Sequence, residues 1–130
     1  MFSLAFFNDY NTLLPNINNP REKKMALQHA NDETFSGLIG NGITLVDFWA
    51  TWCGPCRMFG PIFESVSDKI PDVNFVKFEI DETNRRTPAK YGIRSIPSVL
   101  AFKDGELVEA RTGLMDEETV TMWINELKAA

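Results

Sequence analysis

At 130 residues, with 44% hydrophobic and 24% charged residues, the chain falls in the range of one folded domain and outside the charge-rich, apolar-poor pattern of disorder. A formal net charge of -5, with basic residues clustered only over positions 21–24 and at Arg85-Arg86, supplies no footprint for gripping a phosphate backbone, so nucleic acid is not an expected partner. No apolar run reaches the ~18 residues a membrane span needs, and no membrane association is expected.

Residues 1–24 stand apart. Asn8, Asn11, Asn16, Asn18 and Asn19 crowd there with Pro15 and Pro20, and no helical or strand period is sustained. The segment reads as an N-terminal extension, either a flexible tail or a short docking helix, ahead of a domain over 25–130. The apolar patch at 2–7 lacks the preceding positive charge and the length of a secretion signal. A cytoplasmic location is therefore expected.

From Asn31 the punctuation becomes regular. Asn31 or Asp32 can cap a short helix carrying Phe35, Leu38 and Ile39, ended by Gly40 and Gly42. Positions 43–49 are almost continuously apolar, as expected of a strand covered on both faces in an α/β sheet. Beyond the cysteines, Met58, Phe59, Ile62, Phe63, Val66 and Ile70 recur at helical spacing and predict one wide core-facing stripe, with a bend expected at Pro61. Positions 75–80 predict a second strand, parallel to the first through a helical crossover. A weaker helix over 84–91 stops at Gly92. Strands over 98–103 and 106–112 flank Asp104-Gly105, a two-residue hairpin signal, so this pair is antiparallel and the sheet is mixed. The last helix is capped by Asp116, begins with Glu117 and Glu118, and turns Val120, Trp123, Ile124 and Leu127 to one side, with Met115 stapled to Val120.

The chemistry sits at Trp52-Cys53-Gly54-Pro55-Cys56. Pro55 suits a first helical turn, because the donor it lacks has no partner there anyway. Cys53 then lies at a helix N-terminus, where unpaired N-H groups favour a thiolate over a thiol. Its attack on a disulfide forms a mixed disulfide that Cys56, one turn on and less exposed, can resolve. A zinc site competes for Cys-x-x-Cys, but these are the only two cysteines and His29 is the only histidine. A structural short disulfide is the other alternative. No bound metal or cofactor is expected.

Asp47 interrupts the apolar run, where an unpaired carboxylate is costly. It is either an inward polar group satisfied by a backbone group or water, or a proton acceptor for Cys56, with Lys77 on the next strand within reach to moderate it. Ile96-Pro97 is either an ordinary strand entrance or a cis bond that places backbone beside the cysteines for an extended substrate. Trp49 reads as core, and Trp52 as part of an apolar docking surface. His29, Arg85 and Arg86 read as solvated.

Positions 46–57, VDFWATWCGPCR, followed in order by Ile80-Asp81, Tyr91-Gly92-Ile93-Arg94-Ser95-Ile96-Pro97, Phe102-Lys103-Asp104-Gly105 and Gly113, closely resemble the thioredoxin family from about Met25 to Ala130. The resemblance implies the thioredoxin fold, an α/β architecture whose central mixed β-sheet is flanked by helices on both faces. It implies a monomeric protein-disulfide reductase in which Cys53 attacks, Cys56 resolves, and Asp47 with Lys77 forms the buried acid-base pair. Pro97 is implied to be cis, and Trp52, Gly54, Pro55, Ile96, Pro97 and Gly113 to form the substrate groove. Reducing equivalents are implied to come from NADPH through thioredoxin reductase, with protein disulfides as substrates. Gly54-Pro55 between the cysteines matches reducing members, Arg57 keeps the charge of the commoner lysine, and Gly60 stands where alanine is usual. Two other functions compete: an exported or tethered member serving a maturation pathway, and a binding module whose redox activity is incidental.

Overall fold

Alternation of apolar side chains along each central strand forces two separate cores, one on each side of a sheet. The computed structural model describes residues 27–130, so the extension and the domain start expected near Met25 lie outside the described residues. In chain order the elements are β1 (Gln28–Ala30), α1 (Phe35–Leu38), β2 (Ile43–Trp49), α2 (Gly54–Lys69), β3 (Asn74–Glu79), α3 (Arg86–Lys90), β4 (Ser98–Lys103), β5 (Glu106–Thr112) and α4 (Glu117–Ala129). The sheet order is β1-β3-β2-β4-β5. β3 is parallel to both β1 and β2, whereas β4 is antiparallel to β2 and to β5, so the sheet is mixed.

Because successive strand residues point to opposite faces, Leu45, Phe75, Val99 and Ala101 fall on one side and Val46, Phe48, Val76, Phe78, Leu100 and Phe102 on the other. The first set packs with Phe59, Phe63 and Val66 of α2 and Val120, Trp123 and Ile124 of α4. The second set packs with Phe35 and Ile39, and with Tyr91 at its margin. Helices therefore cover both faces, as expected.

α2 runs unbroken through Pro61. Met58 departs from the expected stripe: it is 63% exposed, because the sheet covers only the side of α2 that carries Phe59 and Phe63. β1 was not anticipated, being a three-residue edge strand too short to show a period. At the hairpin, Asp104 and Gly105 both take positive φ, at 49° and 89°, the backbone that a two-residue turn between twisted strands demands. Asp116 caps α4 by accepting from Thr119 N-H at 2.8 Å, and Met115 packs against the cluster that holds Val120.

Asp32 does something different from the expected local cap. Its carboxylate accepts from the backbone N-H of Arg86 at 3.2 Å and of Thr87 at 2.8 Å, capping α3 across more than fifty residues. Arg86 is accordingly not merely solvated, since its guanidinium pairs with Asp32 and Glu33. The short helix α1 is entered instead through Asn31, whose side chain accepts from Glu33 and Thr34 N-H.

Candidate active site

β2 ends at Trp49 and the chain turns through Ala50, with Cys53 N-H donating to Ala50 carbonyl at 3.2 Å. Cys53 is the N-cap of the 16-residue helix α2, with extended backbone at φ -95° and ψ 115°. A capping residue must supply an acceptor for the first orphan N-H groups, and here the acceptor is sulfur. Cys56 N-H donates to Cys53 Sγ at 3.2 Å. Gly54 and Pro55 occupy the first two helical positions, where proline removes no bond.

Cys53 and Cys56 are joined by a disulfide with their Cα atoms 5.3 Å apart. Both are nearly covered, at 5% and 3% exposure, so the difference in access expected from the sequence is small. Among the described residues no group of three or more His, Cys, Asp and Glu side chains is arranged to hold a metal ion. A zinc centre would need two further ligands beside this pair.

Trp52 projects next to the disulfide with 75% of its surface exposed. The Ile96-Pro97 peptide bond is cis. Ile96 packs against the small cluster of Ala50, Cys53 and Cys56, and its carbonyl oxygen lies 3.8 Å from Cys53 Sγ. Gly113 N-H donates to Pro97 carbonyl at 2.8 Å, and Gly113 has φ 101°, a backbone few other residues adopt. Of the expected groove positions, Ile96 thus touches the cysteine cluster, Pro97 follows it and is tied to Gly113, and Trp52, Gly54 and Pro55 adjoin the cysteines along the chain. Arg57 folds back so that Nη1 donates to Thr51 carbonyl at 3.2 Å, steadying the loop that carries Trp52.

Beneath α2 lies Asp47, 1% exposed. It is two residues on from Leu45, and Lys77 is two on from Phe75, so both point toward α2. The two are Cα partners in the parallel pairing of β2 with β3. Neither carboxyl oxygen of Asp47 has a hydrogen-bond partner among the described residues, which sets aside a backbone-satisfied polar group. Burial pushes its pKa up to about 7, with the Lys77 charge opposing the rise. Lys77 does not hydrogen-bond it; the ammonium lies over the Trp49 ring, 4.9 Å from the centroid. That cation-π contact and the cap made by sulfur escaped the sequence reading, because each depends on a neighbour's position rather than on residue type. Trp49 itself is half-buried at the edge of the disulfide cluster rather than deep in the core.

Comparison with known proteins agrees with this arrangement. The model of the Thioredoxin family matches residues 26–126. A thioredoxin from Bacillus subtilis is 42% identical over 102 residues, spanning 78% of this chain and 97% of its own length. One from Rickettsia prowazekii is 48% identical over 82 residues, 62% of this chain and 77% of its own. Among solved structures, a thioredoxin of Malassezia sympodialis superposes with a TM-score of 0.69 at 34% identity, covering 77% of this chain and 89% of that one. By fold, by the disulfide at the head of α2 and by sequence, the chain belongs to the thioredoxin family.

Proposed function

We propose that this thiol-disulfide oxidoreductase works as a general protein-disulfide reductase with the following division of labour. In the reduced form Cys53 is the attacking thiolate. Its sulfur bonds to one sulfur of a substrate disulfide, the substrate S-S bond breaks, and the other substrate sulfur leaves as a thiolate. Cys56 then loses its proton and attacks Cys53 Sγ; the mixed disulfide breaks and the second substrate thiolate departs. The protein is left with the Cys53-Cys56 disulfide and the substrate with two more electrons. The reductase activity itself follows from family membership and from the paired cysteines.

The observation that carries this reading is the 3.2 Å contact from Cys56 N-H to Cys53 Sγ at the N-cap of a 16-residue helix. Such a donor, together with the positive end of the helix, stabilises negative charge on that sulfur more than on Cys56. Asp47, whose pKa lies near 7, is the acceptor for the Cys56 proton, and Lys77 tempers its basicity. An extended substrate strand lies across Trp52, Gly54, Pro55, Ile96, Pro97 and Gly113, pairing with the backbone beside the cis bond.

NADPH, acting through thioredoxin reductase, returns two electrons to the disulfide, and the protein works as a monomer. Among the described residues no helix is long and apolar enough to cross a membrane, and we place the protein in the cytoplasm. The test is a coupled assay of the full chain with NADPH, a thioredoxin reductase and insulin disulfides. NADPH consumption that requires both the chain and insulin supports the assignment; consumption no faster than without the chain overturns it.

A further inference from the structure

Glycine in a helix interior is disfavoured by backbone entropy, so one that is buried in α2 directly under the active site calls for a reason. Gly60 is buried, and it lies four residues after Cys56, on the same face of the helix. A Cβ added at Gly60 would meet Lys77 Nζ at 3.3 Å, tighter than an ordinary contact. The ammonium is thus held between the α2 backbone at Gly60 and the Trp49 ring, 4.9 Å from its centroid. It shares its face of the sheet, and its register position, with Asp47.

We propose that Gly60 is a positioning residue, its missing side chain opening the slot in which the Lys77 ammonium lodges and so setting how closely that charge acts on Asp47. The inference rests on the reading of Asp47 as the proton acceptor for Cys56. A methyl group at position 60 narrows the slot, and the ammonium must give by a few tenths of an ångström. The inner direction is occupied by the buried carboxyl and the apolar core, where an ammonium loses hydration, so the side chain retreats toward solvent. Its hold on the Asp47 carboxylate then weakens.

The groups facing Asp47 are few. β3 presents Lys77 and, two residues on, Glu79; α2 presents Cys56; β4 presents Val99, the Cα partner of Asp47, and no charge. Lys77 is the cation in this set and opposes the upward displacement of the Asp47 pKa. For a retreat of a few tenths of an ångström at an effective permittivity of about 20, Coulomb's law gives a rise on the order of a tenth of a pH unit.

The test is a titration of the Asp47 carboxyl by carbon NMR in the oxidised full chain, on wild type, Gly60→Ala, Lys77→Met and the double variant. Gly60→Ala should raise the Asp47 midpoint by about that tenth, Lys77→Met should raise it further, and Gly60→Ala should add nothing once Lys77 is gone. An unchanged or lowered midpoint in Gly60→Ala, a shift that persists in the Lys77→Met background, or a midpoint indifferent to Lys77→Met would overturn the proposal. The pH profile of mixed-disulfide resolution is recorded on the same variants. Should the NMR midpoints move as described while that profile stays fixed, the slot stands and the proton-acceptor reading of Asp47 fails.

Discussion

Two aspartates on opposite faces of the same sheet have opposite fates. Asp32, in the loop after β1, has a carboxylate that is nearly covered but accepts from Thr87 and Arg86. Burial alone is the largest influence and would raise its pKa, yet the hydrogen bonds from Thr87 and Arg86 together outweigh it and hold the group at about 2. Asp47, under α2, lies deeper in the protein and has no hydrogen-bond partner among the described residues, and burial lifts it to about 7 against the pull of Lys77. The contrast teaches that low exposure of the carboxylate does not by itself decide whether it is a strut or a proton carrier; depth and donors act together. Near the surface the donors aimed at Asp32 outweigh desolvation, and under α2, with none, desolvation prevails.

The comparison can be broken most sharply at the sulfurs above Asp47. Cys56→Ser removes the resolving thiol, so turnover of insulin disulfides should fall to the rate of dithiol alone and a mixed disulfide with substrate should accumulate. Sustained turnover in that variant would remove the need for any proton acceptor at Asp47.

Asp47→Asn comes next. Its native pKa is raised above the unfolded value of about 4, so the native state binds the extra proton between the two values. The stability associated with that proton is present below about pH 4, is lost as pH rises toward 7, and stays lost above. A gap of about three units caps the effect near 4 kcal/mol, so the variant should be stabler than wild type at pH 8 by about 2 to 4 kcal/mol, with little difference at pH 4. Denaturant titrations at the two pH values measure this. Resolution of the mixed disulfide should slow on the order of a hundredfold, the usual contribution of a general base.

Asp32→Ala should leave reductase activity unchanged while costing about 1 kcal/mol, the usual loss for a helix cap. The sign with pH is opposite to that of Asp47. A depressed native pKa means the contribution is complete above about pH 4 and is lost as pH falls toward 2. Loss of activity in this variant would show that the two faces are coupled.

The smallest effect is expected from Asp116→Ala, which removes a local and exposed cap of α4 that accepts from Thr119. Thermal melts should show a smaller loss than for Asp32→Ala, because the Asp116 bond ties α4 only to its own first turn, whereas Asp32 joins the loop after β1 to α3.

These differences also mark how far the sequence could be read. The strands β2 and β4 follow from nearly continuous apolar runs and β5 from the two-residue turn that precedes it, signals that reside in adjacent residues. Asp47 was conspicuous because a charge in such a run is rare, and the cysteine motif because its spacing sets its position on a helix. The α3 cap made by Asp32 was invisible, since its partners lie 54 and 55 positions away. Met58 was misassigned because the stripe on α2 is broader than the surface the sheet offers it. β1 has three residues, two of them exposed, and no pattern that distinguishes it from loop. The place of the Lys77 ammonium depends on what Gly60 lacks, which no local pattern records.

Everything ascribed to the site depends on the sulfur of Cys53 bearing negative charge in neutral water. The rate of alkylation of Cys53 by iodoacetamide in the freshly reduced full chain, followed from pH 4 to 10, tests this most directly. A single fast-reacting thiol whose reactivity rises through a midpoint at least one unit below the ordinary cysteine value of about 8.5 is the predicted result. A midpoint at that ordinary value, with Cys53 and Cys56 reacting alike, would contradict it.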